Sequence, residues 1–248
     1  MPTSTLVVLT PCHMPARTDW SSFTPFFYRV RASAPEATIV PVINGTADEA
    51  AAEELVKDGR ELGLAPTYTM SPLKLRGALM AGYKLITRAR PGATIVRLDT
   101  AEHPPEHIPR LADRAEEIGG MVIGDLTFTP KLMPENSREW SAHHEDFPQL
   151  YNRHCSLPLS GAHGFQAFAP GIIPRLLRAV RPIYEILDRR ESPPTWGFDA
   201  AAVLAARRLN IPVERIEIPG EVARDRPVDK IEQQLANAHE LCEAAAAA

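Results

Sequence analysis

The stretch IVRLDTAEHPPEHIPRL, residues 95–111, ends an apolar run in Asp99 and follows it with Glu102, His103, a Pro-Pro pair and a helix start. Two carboxylates and an imidazole at the mouth of a buried strand have two readings. They are oxygen and nitrogen donors for a divalent cation. Or they are a polar loop in which Asp99 caps the next turn and Glu102 and His103 are solvated. A second group of ligand-type side chains is HHEDF, residues 143–147. Adjacent histidines on a polar loop seldom converge on one ion, and the spacing matches no HExxH arrangement. That segment is expected to be a solvated loop able to act as a lid. Cys12, Cys155 and Cys242 have no metal-ligand spacing, and an odd count makes a poor disulfide framework. Reduced thiols in a cytoplasmic protein are the expectation.

These groups need elements to position them. Short apolar runs at 5–10, 37–43, 67–70, 93–98 and 120–124 read as strands. Pro11 bounds the first, and Pro41 suits an edge or bulge in the second. Helical patterns cover 20–32, about 48 to just before Gly63, and 74–88. Strands alternating with helices imply crossover connections and a mostly parallel α/β sheet. Ligands of such sheets sit outside the carboxyl ends of the strands. That rule selects the loops Pro11–Arg17, Asn44–Asp48, Ser71–Arg76 and Asp99–His107. Residues 129–160 show no period and read as a long irregular excursion. After it come a strand at 164–170, helices at 171–180 and 198–210, a strand at 213–219 and a closing helix from about Val228. The terminal run Ala244–Ala248 reads as a frayed helix end.

The composition is that of a globular protein: 248 residues, 44% hydrophobic and 23% charged. A net charge of −4 argues against a general nucleic-acid binder. No signal peptide is seen at the N-terminus, and no run reaches the roughly 20 apolar residues of a membrane span.

In this order the motifs resemble those of the GT-A nucleotide-sugar glycosyltransferases, above all the inverting branch with the polyprenol-phosphate mannosyl- and glucosyltransferases. LVVLTPCHMPA stands for the first strand and loop, and VINGTADEAAAEEL for the Asp-Asp-Gly-Ser segment. LKLRGALMAGYKLITRA stands for the basic Gly-Ala helix, and IVRLDTAEHPPEHIPRL for the Asp-x-Asp turn with its His-Pro-Pro-Glu. GMVIGDLTF, SGAHGFQAFAPGII, WGFDAAAVLAARRLNIPVERIEIP and RDRPVDKI follow in the family's order. Several family acids are replaced: Pro15 stands for a Glu, Ile43-Asn44 for Asp-Asp, and Ala101 for the second acid of the turn. Pro227 and Asp229 stand for a Gly and a Ser.

The resemblance implies one GT-A domain over 1–248, with a nucleotide-sugar half at 1–128 and an acceptor-side half at 129–248. It implies transfer of a sugar from a nucleoside-diphosphate sugar, with inversion, aided by Mn²⁺ or Mg²⁺. Asp99, Glu102 and His163 become the metal ligands, and Pro11, His13, Asn44, Lys74, Arg76 and Asp99 the donor-binding residues. Asp199 becomes the general base, and Trp196, Arg224, Arg226 and Lys230 the acceptor side. Each has a plainer reading: a turn residue for Asn44, surface charge for Lys74 and Arg76, helix-start electrostatics for Asp199, core for Trp196. The acceptor is left open among a small molecule, a glycan and a lipid phosphate, the last placing the protein at the membrane periphery. A homodimer is compatible with this reading. The rival is a degenerate GT-A domain that binds a nucleotide or a protein partner without catalysis; a nucleotidyltransferase ranks last, because TPCHMPAR lacks the glycines of a triphosphate loop. Replacing Asp99 by Ala is expected to leave the fold intact.

Overall fold

The computed structural model describes residues 5–14, 19–46, 48–70, 74–99, 103–161, 164–189, 197–221 and 226–248. The first half alternates β1 (Leu6–His13), α1 (Thr24–Ser33), β2 (Thr38–Asn44), α2 (Glu49–Glu61), β3 (Thr67–Tyr68), α3 (Lys74–Ala89), β4 (Thr94–Leu98), α4 (Ile108–Ile118) and β5 (Met121–Thr127). The second half contains α5 (Arg138–Ser141), α6 (Phe147–Cys155), β6 (Phe165–Phe168), α7 (Ile172–Leu187), α8 (Phe198–Arg208), β7 (Val213–Pro219) and α9 (Val228–Ala247).

The described strands form one sheet in the order β3-β2-β1-β4-β6-β5-β7. Its pairs are parallel except those of β6, which runs against both β4 and β5. Alternate strand residues feed two cores, as a period of two requires. Val7, Leu9, Ile95 and Ile123 pack under α3 and α6 to α9, whereas Val8, Val96, Leu98 and Val122 pack under α1, α2 and α4.

The two strand prolines are accommodated by parity. β1 continues through Pro11 to His13 rather than stopping there. Odd residues of β1 face β4, and that pairing ends at Leu9 opposite Arg97, so the missing N–H of Pro11 falls beyond the ladder. Pro41 lies inside β2, not at an outer edge. Its nitrogen faces the β3 side, as the carbonyls of Ile39 and Ile43 do, and β3 pairs only with Val42 and Ile43.

Two expectations are corrected. The excursion at 129–160 is helical over much of its length: α5, a π-helical turn at Ala142–Asp146 and α6 follow one another without a break. Ala142, Phe147, Leu150, Tyr151 and Leu159 are core residues, so this is scaffold and not a lid. The C-terminal alanines are not frayed either: α9 runs to Ala247, with Ala244 and Ala245 buried.

Candidate functional site

The chain leaves β1 toward β2 on one side, while β4 lies on the other. The carboxyl ends of β1 and β4 therefore flank the point where strand order reverses, the ligand crevice of open α/β sheets. Arg97 and Asp99 meet there because residues two apart share a strand face. The Arg97 Nε donates to Asp99 Oδ1 at 3.2 Å and Nη2 to Oδ2 at 2.9 Å. Nη1 of the same guanidinium lies 3.9 Å from Oδ1 of Asp199, in the first turn of α8. Arg97 is buried, with 1% of its side chain exposed, whereas Asp99 keeps 32% and Asp199 18%. One guanidinium is thus bonded to the end of β4 and in charge contact, without a hydrogen bond, with the start of α8.

Neighbours fix the backbone of both aspartates. Gln166 Nε2 donates to the Asp199 carbonyl at 3.2 Å. His103 is buried, with Nδ1 3.2 Å from the Asp99 carbonyl. Gly164, just before β6, is the packing partner of Asp99: a Cβ there would lie 2.2 Å from Oδ2. Burial raises the Asp99 carboxyl above the usual range, Arg97 draws it back, and Asp199 adds to the rise. Burial lowers Arg97, but Asp99 and Asp199 outweigh it and hold the guanidinium above its ordinary value.

Behind this pair sits Arg76 on α3. It is not a surface charge: Nη2 bonds Asp188 Oδ1 at 2.6 Å, and its Cζ lies 4.4 Å from the centre of the Tyr184 ring. The hydroxyls of Tyr83 and Tyr184 and Nη1 of Arg76 find no hydrogen-bond partner among the described residues. Burial pushes both phenols well up, so they are donors, not charges.

The first two loops are tied together. Asn44 is buried; its Nδ2 donates to the Cys12 carbonyl at 3.2 Å and its Oδ1 lies 3.3 Å from His13 Nδ1. Gly45, at φ +82°, leaves room for the His13 ring, which a Cβ would meet at 2.3 Å. His13 is exposed and Asn44 is not. Pro11 lies in the strand, half-buried. Lys74 opens α3, and Lys230 is exposed in the first turn of α9. Glu102, His163, Trp196 and Arg224 lie outside the described residues.

The HHEDF segment is not a solvated loop. His143 is buried in the π-helical turn and bonds the Ser160 carbonyl through Nδ1, while His144 is exposed and stacks on Trp140 at 3.7 Å. His143 Nε2 lies 3.6 Å from Glu139, which also takes Arg226 Nε at 3.3 Å. Sequence reasoning missed Arg97, Glu139 and Asp125. A charged residue two places before Asp99 inside an apolar run was the available signal for Arg97.

The donor set can be tested against a divalent cation. Among the described residues no three His, Cys, Asp or Glu side chains gather as a cage. Asp99 is a single accessible carboxylate. Of its roughly four lone-pair sites, two are taken by Arg97 and the rest meet no donor among the described residues. That fits Mg²⁺ or Mn²⁺, which one or two carboxylates hold while substrate phosphates complete the shell.

The strand order, the reversed β6 and the Asp at the end of β4 define a GT-A fold. No family model matches the sequence, and no curated protein does. Solved structures match over nearly the whole chain. Glucosyl-3-phosphoglycerate synthase from Mycobacterium tuberculosis, in complex with Mn²⁺, uridine diphosphate and phosphoglyceric acid, gives a TM-score of 0.63 at 14% identity, covering 98% of this chain and 79% of that one. Its complex with uridine diphosphate gives 0.61 at 15% identity over 97% and 81%. Its complex with Mn²⁺, UDP-glucose and phosphoglyceric acid gives 0.54 at 14% identity over 97% and 80%. At this identity the likeness is one of fold.

Proposed function

We propose that this protein is a glycosyltransferase that moves a sugar from a nucleoside-diphosphate sugar to a small anionic acceptor, with Mn²⁺ or Mg²⁺ at Asp99. The observation that carries the reading is the shared guanidinium: Arg97 holds Asp99 and Asp199 together at the strand-order reversal. The ligands named for the structural neighbours, UDP, UDP-glucose, Mn²⁺ and phosphoglyceric acid, support the substrate classes.

A bound cation would supply Lewis-acid stabilisation of the charge that develops on the departing diphosphate. The protein's own residues do the rest. Asp99 offers its free lone pairs at the mouth of β4, and Arg97 fixes the plane of that carboxylate. His13, seated over Gly45, offers a ring face and a ring nitrogen to the base. Asp199 takes the proton of an acceptor hydroxyl as it attacks, the role of a general base. Attack from the side opposite the leaving diphosphate gives inversion. Arg226, anchored on Glu139, and Lys230 supply positive charge for an acidic acceptor.

Calorimetry with UDP- and GDP-sugars, with and without Mn²⁺, tests this, followed by turnover with phosphorylated hydroxy acids. Metal-dependent donor binding that Asp99→Asn abolishes, with turnover that Asp199→Asn abolishes, is expected. Both carboxylates described at the mouth, Asp99 and Asp199, already share the charge of Arg97, which favours a second reading: a domain that binds nucleotide without transfer. Metal-independent binding with no turnover would select it.

A further inference from the structure

Among the described residues β7 is the last strand of the sheet, and its register with β5 decides which groups it leaves open. Met121 N donates to the Pro212 carbonyl at 2.9 Å and Gly220 N to the Thr127 carbonyl at 2.7 Å. Even-numbered residues of β7 therefore turn their peptide groups toward β5. Odd-numbered ones turn outward: Val213, Arg215 and Glu217 present N–H and C=O to the open edge, and Pro219, without an N–H, ends the row. An open groove of about 860 Å³ lies beside this edge between β7 and α4, with Arg110, Asp113, Glu214 and Glu217 among its walls. An open ladder beside such a groove accepts an extended strand.

We propose that the strand is β7 of a second copy of this chain, running antiparallel and centred on Ile216. Outward-facing residues pair only with outward-facing residues, because those exchange both N–H···O bonds. Near the strand centre that leaves three registers. Arg215 opposite Arg215, or Glu217 opposite Glu217, sets like charges against each other. The third places Arg215 of each copy opposite Glu217 of the other, twice by two-fold symmetry. Charges on an edge ordinarily block pairing; here their alternation blocks every central register but one. The side chains are already poised for it. Arg215 uses Nε on Asp125 at 2.6 Å, and its Nη1 lies 2.9 Å from Glu217 of its own strand, a pair that dimerisation would exchange for the one across the two-fold. Glu217 keeps 64% of its side chain exposed and Arg215 24%.

Sedimentation velocity on the full chain, from micromolar to near-millimolar concentration, together with residue-resolved amide exchange, tests the proposal. The expected result is a reversible dimer in which the Arg215 and Glu217 amides gain protection as concentration rises. Glu217→Arg, which sets Arg against Arg without touching the core, weakens the dimer about tenfold or more, and Glu217→Gln weakens it less. Thermal unfolding confirms that both variants fold. A monomer at every concentration overturns the proposal. So does a dimer indifferent to Glu217→Arg, or a monomer whose edge is protected only on adding a basic extended peptide. None of these readouts requires sugar transfer.

Discussion

Two buried arginine–aspartate clusters lie in the same sheet and are built to opposite ends. On β5, Asp125 is wholly buried and fully bonded: the Ser160 amide lies 3.1 Å from both oxygens, the Ser160 hydroxyl donates at 2.7 Å, and Arg215 Nε at 2.6 Å. On β4 the burial is reversed. Arg97 is the sealed partner, and Asp99 reaches the surface with no donor but Arg97 on its carboxylate among the described residues. The first cluster is closed and locks β5, β7 and the segment before β6 together. The second is open toward the crevice and presents a carboxylate. Completeness of bonding, more than the presence of charge, separates scaffold from candidate site here.

The largest effect should come from opening the closed cluster. Arg215→Met strands a buried carboxylate, and such losses cost about 3–5 kcal/mol. The urea midpoint should fall accordingly while nucleotide affinity per folded molecule stays put; a smaller loss than that of Asp99→Asn would break the contrast. Next comes Asp99. Asp99→Ala, expected from sequence to leave the fold intact, carries a stability cost, because the substitution strips a sealed guanidinium of its two-point partner. Asp99→Asn should cost roughly 1.5–3 kcal/mol, the range for hydrogen bonds to charged groups, and should remove metal-dependent donor binding in calorimetry. Unchanged binding would take Asp99 out of the site.

Gly164→Ala sharpens the contrast by moving Asp99 without changing its chemistry. The added methyl must displace Oδ2, overpacking that costs about 1–3 kcal/mol, and Mn²⁺ affinity should drop with it. Equal affinity would show that the carboxylate's placement is unimportant. The smallest effect concerns pH. The Asp99 carboxyl is raised in the folded state, so between the ordinary carboxylate range and that higher value the unfolded chain holds fewer protons. Stability should decline with rising pH across that window, no more steeply than about 1.4 kcal/mol for each step of one in pH. Asp99→Asn should flatten that slope in urea titrations; an identical slope would put the raised group elsewhere.

The alternating first half could be read from sequence because local patterns and tertiary packing agree there. Asp48 caps α2 through the Ala51 amide at 2.7 Å, and Gly119 ends α4 in the left-handed region at φ 59°. The segment 138–155 hid its helix because the π-helical turn shifts the apolar register midway, and Pro148 follows directly. A pattern sought at one period fails across that shift, so buried His143 read as a solvated residue. Arg97 hid differently: a strand looks the same in sequence whether its one charge is sealed inside or lies at an edge. Asp199 was legible as a helix-start acid, but its meeting with Asp99 needed β6 and α8 in place. For Lys74 and Arg76 local sequence gave equal weight, and only the packing of α7 turned Arg76 inward onto Asp188.

Because β6 runs against its neighbours, the polypeptide re-enters the sheet beside the end from which β4 departs, and Gly164 arrives alongside Asp99. The crevice is thus a joint product of early and late translation. Were the backbone severed in the exposed residues 134–136, neither fragment would own a finished crevice, and donor capture would return only when both were mixed.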